Sequence, residues 1–358
     1  MKLSETEKPL FIVSKNIVEK NIRRMQDKAK QHKLMFRPHF KTHQSTDIGK
    51  LFKTQGIDKI AVSNMDMAYQ FQKSGFTDIC LAILFNPQQA HHLAYFSCHG
   101  NFCIVLESGN YIKYLDTHCT SKVDVMIKID TGANRTGLAA HDYKSIHTII
   151  IALQSSRHLH FKGFLVHNGQ TYHVKNQSEI QELHKNSLQQ LRHLKAKFAD
   201  YSPVISLGDT PSSAICNDFT GIDELRPGNF VYYDYMQYQL GACKFENIAC
   251  LLAVPVLSVQ PAQNKIVIHG GAVHLSKESS INDTGQTHYG EIVLVDEKYN
   301  IERLQPRAYV TALSQEHGTI SSKNPQLHKL SPGDTIGVIP IHSCLTANLM
   351  KQNTFVRN

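Results

Sequence analysis

Short apolar runs recur along the first two thirds of the chain, at 34–36, 59–62, 78–84, 101–106, 123–129, 161–166, 203–207 and 222–225. Between most of them lie stretches with apolar positions at helical spacing, at 64–73, 87–96, 108–118, 142–154 and 178–199. An apolar residue every three or four positions gives a helix one buried face; a brief unbroken run bounded by polar turns suits a strand covered on both faces. Ahead of this series, a lone strand at 10–13 leads into a helix that opens at Ser14 and runs to about Gln31. Strand and helix alternating eight times predicts a parallel (β/α)8 barrel. The competing architecture, a doubly wound open sheet, wants a glycine-rich turn behind its first strand, and Arg37-Pro38-His39 stands there instead.

From about Phe245 the texture changes. Strand-like runs at 249–259, 265–269, 291–295 and 335–340 are separated by Pro, Gly, Asn and Asp, with no long helical pattern between them. This predicts a smaller β-rich domain over 245–358, joined by residues 1–13, behind a barrel over 14–244.

Composition narrows the classes. With 358 residues, 41% apolar and 19% charged, the chain can bury the cores of both domains. Its longest apolar stretch, 79–85, is too short to cross a bilayer, and the polar first seven residues lack a secretory segment, so a cytoplasmic location and no membrane partner are expected. Eight cysteines include no CxxC pair, which argues against a zinc ribbon or a thioredoxin-like motif. The net charge of +8 is not gathered into a basic block, so small anionic ligands are expected rather than nucleic acid.

The chemistry concentrates behind the strands, where barrels build their active sites. After the first strand comes Phe36-Arg37-Pro38-His39-Phe40-Lys41-Thr42-His43. A lysine held just past a strand end, in surroundings that disfavour its ammonium form, is a nucleophile able to form a Schiff base; alone, the octet also reads as a solvated loop. After the fifth, Asp130-Thr131-Gly132-Ala133-Asn134-Arg135-Thr136-Gly137 either brings Arg135 toward the barrel axis or is a surface turn with a solvated arginine. After the sixth, His167-Asn168-Gly169-Gln170-Thr171-Tyr172 is a dense polar cluster; a buried, backbone-satisfied His167 and an ordinarily packed Tyr172 are the alternatives. Gly208-Asp209-Thr210-Pro211-Ser212-Ser213 and Arg226-Pro227-Gly228-Asn229 follow strands seven and eight, where barrels commonly bind phosphate.

Together these loops resemble the signatures of fold-type III pyridoxal-phosphate enzymes, and within them the D-threonine aldolase and D-serine dehydratase family. The similarity runs in order over nearly the whole chain, from about Leu10 to Asn348. It implies an alanine racemase-like fold, Lys41 joined to the cofactor aldehyde, Arg135 at its phenolic oxygen, and His167 and Tyr172 lining its ring. Thr210, Gly228 and Asn229 would hold its phosphate. It also implies a homodimer acting on a small D-amino acid.

In the second domain, His342 and Cys344 stand two apart in Pro340-Ile341-His342-Ser343-Cys344, which reads as a strand with both side chains on one face. Imidazole and thiolate suit Zn²⁺, although a lone His-x-Cys is usually chance. The family resemblance implies a metal at this point, with His-x-Cys similar to the dehydratases and His-x-Asp to the aldolases. Gln315-Glu316-His317-Gly318 also resembles a family motif and has no assigned role beyond support of that site. The expected activity is elimination from D-serine to a keto acid and ammonia. Retro-aldol cleavage of D-threonine, dehydration of 3-hydroxy-D-aspartate, racemisation and a non-catalytic cofactor carrier are the alternatives.

Overall fold

The computed structural model describes residues 3–357. Among the described residues the first sheet has nine strands: eight run parallel in the order Met35–Phe36, Glu224–Leu225, Val204–Leu207, Leu159–Val166, Val123–Asp130, Asn101–Leu106, Asp78–Leu84 and Lys59–Val62, and the two-residue Leu138–Ala139 pairs beside Val123–Asp130. The ring closes through one isolated parallel bridge between His39 and Ala61, where the Phe40 amide donates to the Ala61 carbonyl and the Ala61 amide to that of Pro38. The (β/α)8 expectation is met strand for strand, with ends shifted by no more than two residues.

Local chemistry sets the helix starts. Asn64, Asp142 and Asn176 each accept a first-turn amide, opening Met65–Lys73, Tyr143–Gln154 and Gln177–Lys197. Two expected helices are shorter than their apolar spacing suggests: 87–96 becomes a 3-10 turn, Pro87–His92, followed by Leu93–Cys98, and 108–118 contracts to Ile112–Asp116.

The barrel interior is layered. Ala61, Cys80, Cys103, Val105, Met126 and Leu165 form an apolar layer. Beside it lies a charged one: Arg37, 2% exposed, pairs with Asp78 at 2.7 Å and Glu224 at 2.8 Å. Glu224 also accepts from the Ser206 hydroxyl (2.7 Å), and buried Arg226 donates to the carbonyls of Ser206 (3.1 Å) and Val166 (2.8 Å). Burial opposes the Arg37 charge, but Glu224 and Asp78 outweigh it and raise its pKa above the ordinary guanidinium value.

The chain divides into two compact units. The barrel unit is Ile22–Phe230 with Leu240–Ala242; the other comprises the described residues of Met1–Asn21, Val231–Gln239 and Cys243–Asn358. In the second unit Cys250–Gln260, Lys265–His269, His317–Ser321, Ile301–Leu313, Gly290–Val295 and Thr335–Pro340 pair antiparallel in a closed ring. Leu10–Ser14 adds antiparallel to Cys250–Gln260, and Thr354–Arg357 adds parallel to Leu10–Ser14. Ile301–Leu313 escaped the sequence reading because its charged and amide side chains and Pro306 break the apolar run; three buried residues in a row, Ala308 to Val310, anchor it.

Candidate active site

The loops behind the barrel strands are fastened to one another around the ring. Thr131, behind the fifth strand, donates from its hydroxyl to the Asn168 side-chain carbonyl at 2.9 Å, behind the sixth. Thr171 donates to Asp209 at 3.1 Å, and the Thr210 amide donates to Tyr172 Oη at 3.1 Å, joining the sixth to the seventh. The Phe230 amide donates to Thr210 Oγ1 at 3.3 Å, and the His39 amide to the Pro227 carbonyl at 2.8 Å, which joins the eighth back to the first. Gly228 has to be small: a Cβ there would stand 3.0 Å from the His39 carbonyl oxygen and 3.1 Å from Thr42 Oγ1.

On this frame Lys41 is solvent-exposed, with its amide on His39 Nδ1 at 3.3 Å. Its charge reaches both His39 and His167. Burial first, then Lys41, pulls the His167 pKa down to about 3, and the same two causes pull His39 well below the ordinary imidazole value. His167 Nδ1 lies 2.5 Å from the Gly208 carbonyl oxygen, which requires the proton on Nδ1 and leaves Nε2 as an acceptor. Arg135, exposed, also acts on His167. Its turn is set by Asp130, whose Oδ1 accepts the amides of Gly132 and Ala133 at 2.8 Å each. Gly137 adopts φ +110°, with its amide on Glu107 at 2.6 Å. Tyr172 sits 6.3 Å from His167, centroid to centroid.

Lys41, Arg135, His167, Tyr172, Thr210, Gly228 and Asn229 thus belong to one connected set of loops. Two details differ from expectation. The start of helix Thr210–Ile215 is already capped: Asp209 accepts the Ser212 amide at 2.7 Å and Tyr172 takes the Thr210 amide, while the buried Thr210 hydroxyl accepts the Phe230 amide and keeps its own proton to donate. A buried lysine, Lys128, stands on the fifth strand, and its pKa is pulled down to about 7 by burial and then by Arg226 and Arg135. Lys128 opens the stretch Lys128-Ile129-Asp130-Thr131-Gly132 that is part of the family resemblance, but no sequence feature assigned the lysine itself a role. His43 belongs to the core, its ring 4.4 Å from Phe40 and stacked on Phe52.

His342 and Cys344 do not lie on a strand. Thr335–Pro340 ends at its proline, His342 occupies the cap position, and Cys344 lies in the first turn of helix Ser343–Leu349. The two still meet, because the first turn folds Cys344 back toward the cap. Buried Asp234 stands behind them, with Oδ2 3.3 Å from His342 Nδ1 and 2.9 Å from the Ser343 amide. Burial works against the His342 cation, but Cys344 and Asp234 outweigh it and raise its pKa well above the ordinary value. No sequence signal marked Asp234; it sits in an aromatic stretch, Tyr232-Tyr233-Asp234-Tyr235.

The donor sets fit the groups the family resemblance implies. An amine, a guanidinium, a neutral imidazole and a hydroxyl in joined loops match the aldehyde, phenolate, ring and phosphate of pyridoxal phosphate. An imidazole whose Nδ1 lies 3.3 Å from a carboxylate, with a thiol beside it, is a ligand arrangement for a borderline divalent metal.

Comparison with known proteins identifies the family and agrees with the fold. One family model, described as "Alanine racemase, N-terminal domain", matches residues 13–236, and a second, "Putative serine dehydratase domain", matches 249–356. A D-serine dehydratase of Dictyostelium discoideum is 27% identical over 98% of this chain and 93% of its own. The D-threo-3-hydroxyaspartate dehydratase of Delftia sp. HT23 is 24% identical over 94% of this chain and 91% of its own. Its crystal structure superposes with TM-score 0.87 at 22% identity, covering 97% and 94% of the two chains, and another of its structures is described as a Cys-to-Ala mutant in the metal-free form. A D-threonine aldolase from Filomicrobium marinum superposes with TM-score 0.82 at 20% identity, covering 98% of this chain and 91% of the other. Among the described residues no helix is long and apolar enough to cross a membrane. The chain therefore belongs to the alanine racemase N-terminal domain family, its barrel followed by a serine dehydratase-type domain.

Proposed function

We propose that this pyridoxal-phosphate-dependent lyase is a dehydratase of β-hydroxy D-amino acids, with D-serine as substrate and a divalent metal, Zn²⁺, at His342 and Cys344. The observation that supports the reading is the run of hydrogen bonds that joins the loops carrying Arg135, His167 and Thr210 and continues through Pro227 and His39 to the loop of Lys41. Similarity to a D-serine dehydratase and to a D-threo-3-hydroxyaspartate dehydratase supports it, as does the meeting of His342 with Cys344.

When bound, the cofactor supplies an electron sink for the pair left at the α-carbon, and the metal supplies a Lewis acid toward the β-hydroxyl, a poor leaving group. The remaining work falls to the chain. Lys41 would hold the cofactor through its aldehyde and, once displaced by the substrate's amine, would be the free amine that takes the α-proton. Arg135 compensates negative charge at the phenolic oxygen. His167, neutral at all physiological pH, presents a ring and an Nε2 acceptor without adding positive charge. Thr210 donates its hydroxyl to the phosphate, with the turn at Gly228 and Asn229 alongside. Asp234, 3.3 Å from His342 Nδ1, would occupy that side of the ring and leave Nε2 for the metal.

The test is product identification with D-serine, D-threonine and 3-hydroxy-D-aspartate, with and without chelator. Keto acid from D-serine, lost on chelation and restored by Zn²⁺, is expected; aldehyde release from D-threonine would assign the aldolase reaction instead. Lys41→Ala should abolish the visible absorbance of the bound cofactor, and a retained band would remove the lysine from its role.

A further inference from the structure

One other group of ligand-type side chains converges among the described residues: His269, His274 and Glu316. His269 Nε2 lies 3.6 Å and His274 Nε2 3.9 Å from Glu316 Oε2, and one donor atom from each of the three lies within 4.8 Å of the others. The two imidazole rings stand 5.3 Å apart at 88°. Both nitrogen–oxygen separations exceed hydrogen-bond length, so the carboxylate is not tied to either ring.

This convergence is built by the main chain. The Gly270 amide donates to the Glu316 carbonyl (3.0 Å), Ala272 to that of Ser314 (2.9 Å) and Val273 to that of Gln315 (3.2 Å). Those bonds press two segments together so closely that a Cβ on Gly271 would come within 2.2 Å of the Gln315 carbonyl oxygen. The second segment is the Gln315-Glu316-His317-Gly318 motif, which the catalytic reading leaves unused.

We propose that His269, His274 and Glu316 form a second cation site, for a borderline divalent transition metal of the Zn²⁺ class, with water completing the coordination. Two imidazoles and one carboxylate are a known zinc set, and metal–ligand bonds of about 2.0–2.2 Å would draw the three donors inward by roughly an ångström. The Gly271 amide contacts His274 Nδ1 at 3.3 Å; coordination through Nε2 moves the ring proton to Nδ1 and gives up that long contact. The bound ion clamps the segment after Lys265–His269 to the turn before His317–Ser321. The site stands apart from His342 and Cys344 in composition, since it has no thiol, and it does not depend on the dehydratase reading.

The experiment is a Zn²⁺ titration of the full-length protein, stripped by chelator and freed of excess metal, with bound zinc per chain read by elemental analysis. The double variant His269→Ala/Glu316→Gln should bind one equivalent fewer than wild type. The pair His342→Ala/Cys344→Ala should keep the equivalent lost by the first double variant, so failure of either site is seen separately. Glu316→Gln alone, on a side chain 47% exposed, guards against misfolding: zinc affinity at this site should fall at least tenfold with an unchanged circular dichroism spectrum. Stoichiometry and affinity equal to wild type in both Glu316 variants would overturn the proposal.

Discussion

Replacing Lys128 by Met tests whether a buried amine sits inside the barrel as the structure places it. The side chain is 5% exposed, and its pKa is pulled from the ordinary 10.5 to about 7. A difference of that size corresponds to about 5 kcal/mol against folding at pH values below both pKa values, at 1.36 kcal/mol for each pH unit. Between pH 7 and 10.5 the unfolded chain holds a proton that the folded chain has released, so this contribution to stability improves as pH rises. From the two pKa values the penalty is about 5 kcal/mol at pH 6 and about 2 kcal/mol at pH 9. Met has a similar volume and no charge; it forfeits only the 3.1 Å bond from Lys128 Nζ to the Ile129 carbonyl. The stability advantage of Lys128→Met over wild type should therefore shrink by about 3 kcal/mol between pH 6 and pH 9. Urea midpoints followed by far-ultraviolet circular dichroism measure it, since the chain has no tryptophan. Because the same pH-dependent groups occur in both proteins, their contributions cancel in the double difference. A difference that stays constant with pH, or widens toward pH 9, would refute the placement.

Two further outcomes follow from the barrel. Glu224→Gln leaves Arg37 buried with Asp78 as its remaining carboxylate, and about 3 kcal/mol of stability should be lost, seen in calorimetry as a melting temperature lower by roughly 10 °C; a change within a degree would contradict the charged layer. Thr210→Val removes the hydroxyl, and affinity for pyridoxal phosphate in an absorbance titration should fall about tenfold; an unchanged Kd would take Thr210 out of phosphate binding.

The fold was legible wherever burial on both faces left an unbroken apolar run, as at Asp78–Leu84 or Val123–Asp130. It was illegible where one face met solvent. Ile301–Leu313 alternates buried and exposed residues irregularly, and no period stands out. His342 and Cys344 show another limit: a spacing of two fits a strand face, yet it also fits a cap residue and the first turn that folds back on it. Local pattern cannot choose between these, because Pro340 ends the strand one residue too early for the pattern to register. The candidate site was readable as loops, since Gly-rich and polar clusters behind strands stand out. Its supports were not: Asp209 capping from within, Lys128 and Asp234 are single residues whose importance comes from distant partners.

The charged layer within the barrel has an evolutionary consequence. Arg37, Asp78, Ser206, Glu224 and Arg226 are contributed by elements far apart in the chain, and each satisfies at least one of the others. A lone replacement strands an ion or a dipole in the dark interior, so these positions should drift across descendants in concert. Lineages would exchange the whole constellation for an oily one, or keep it intact.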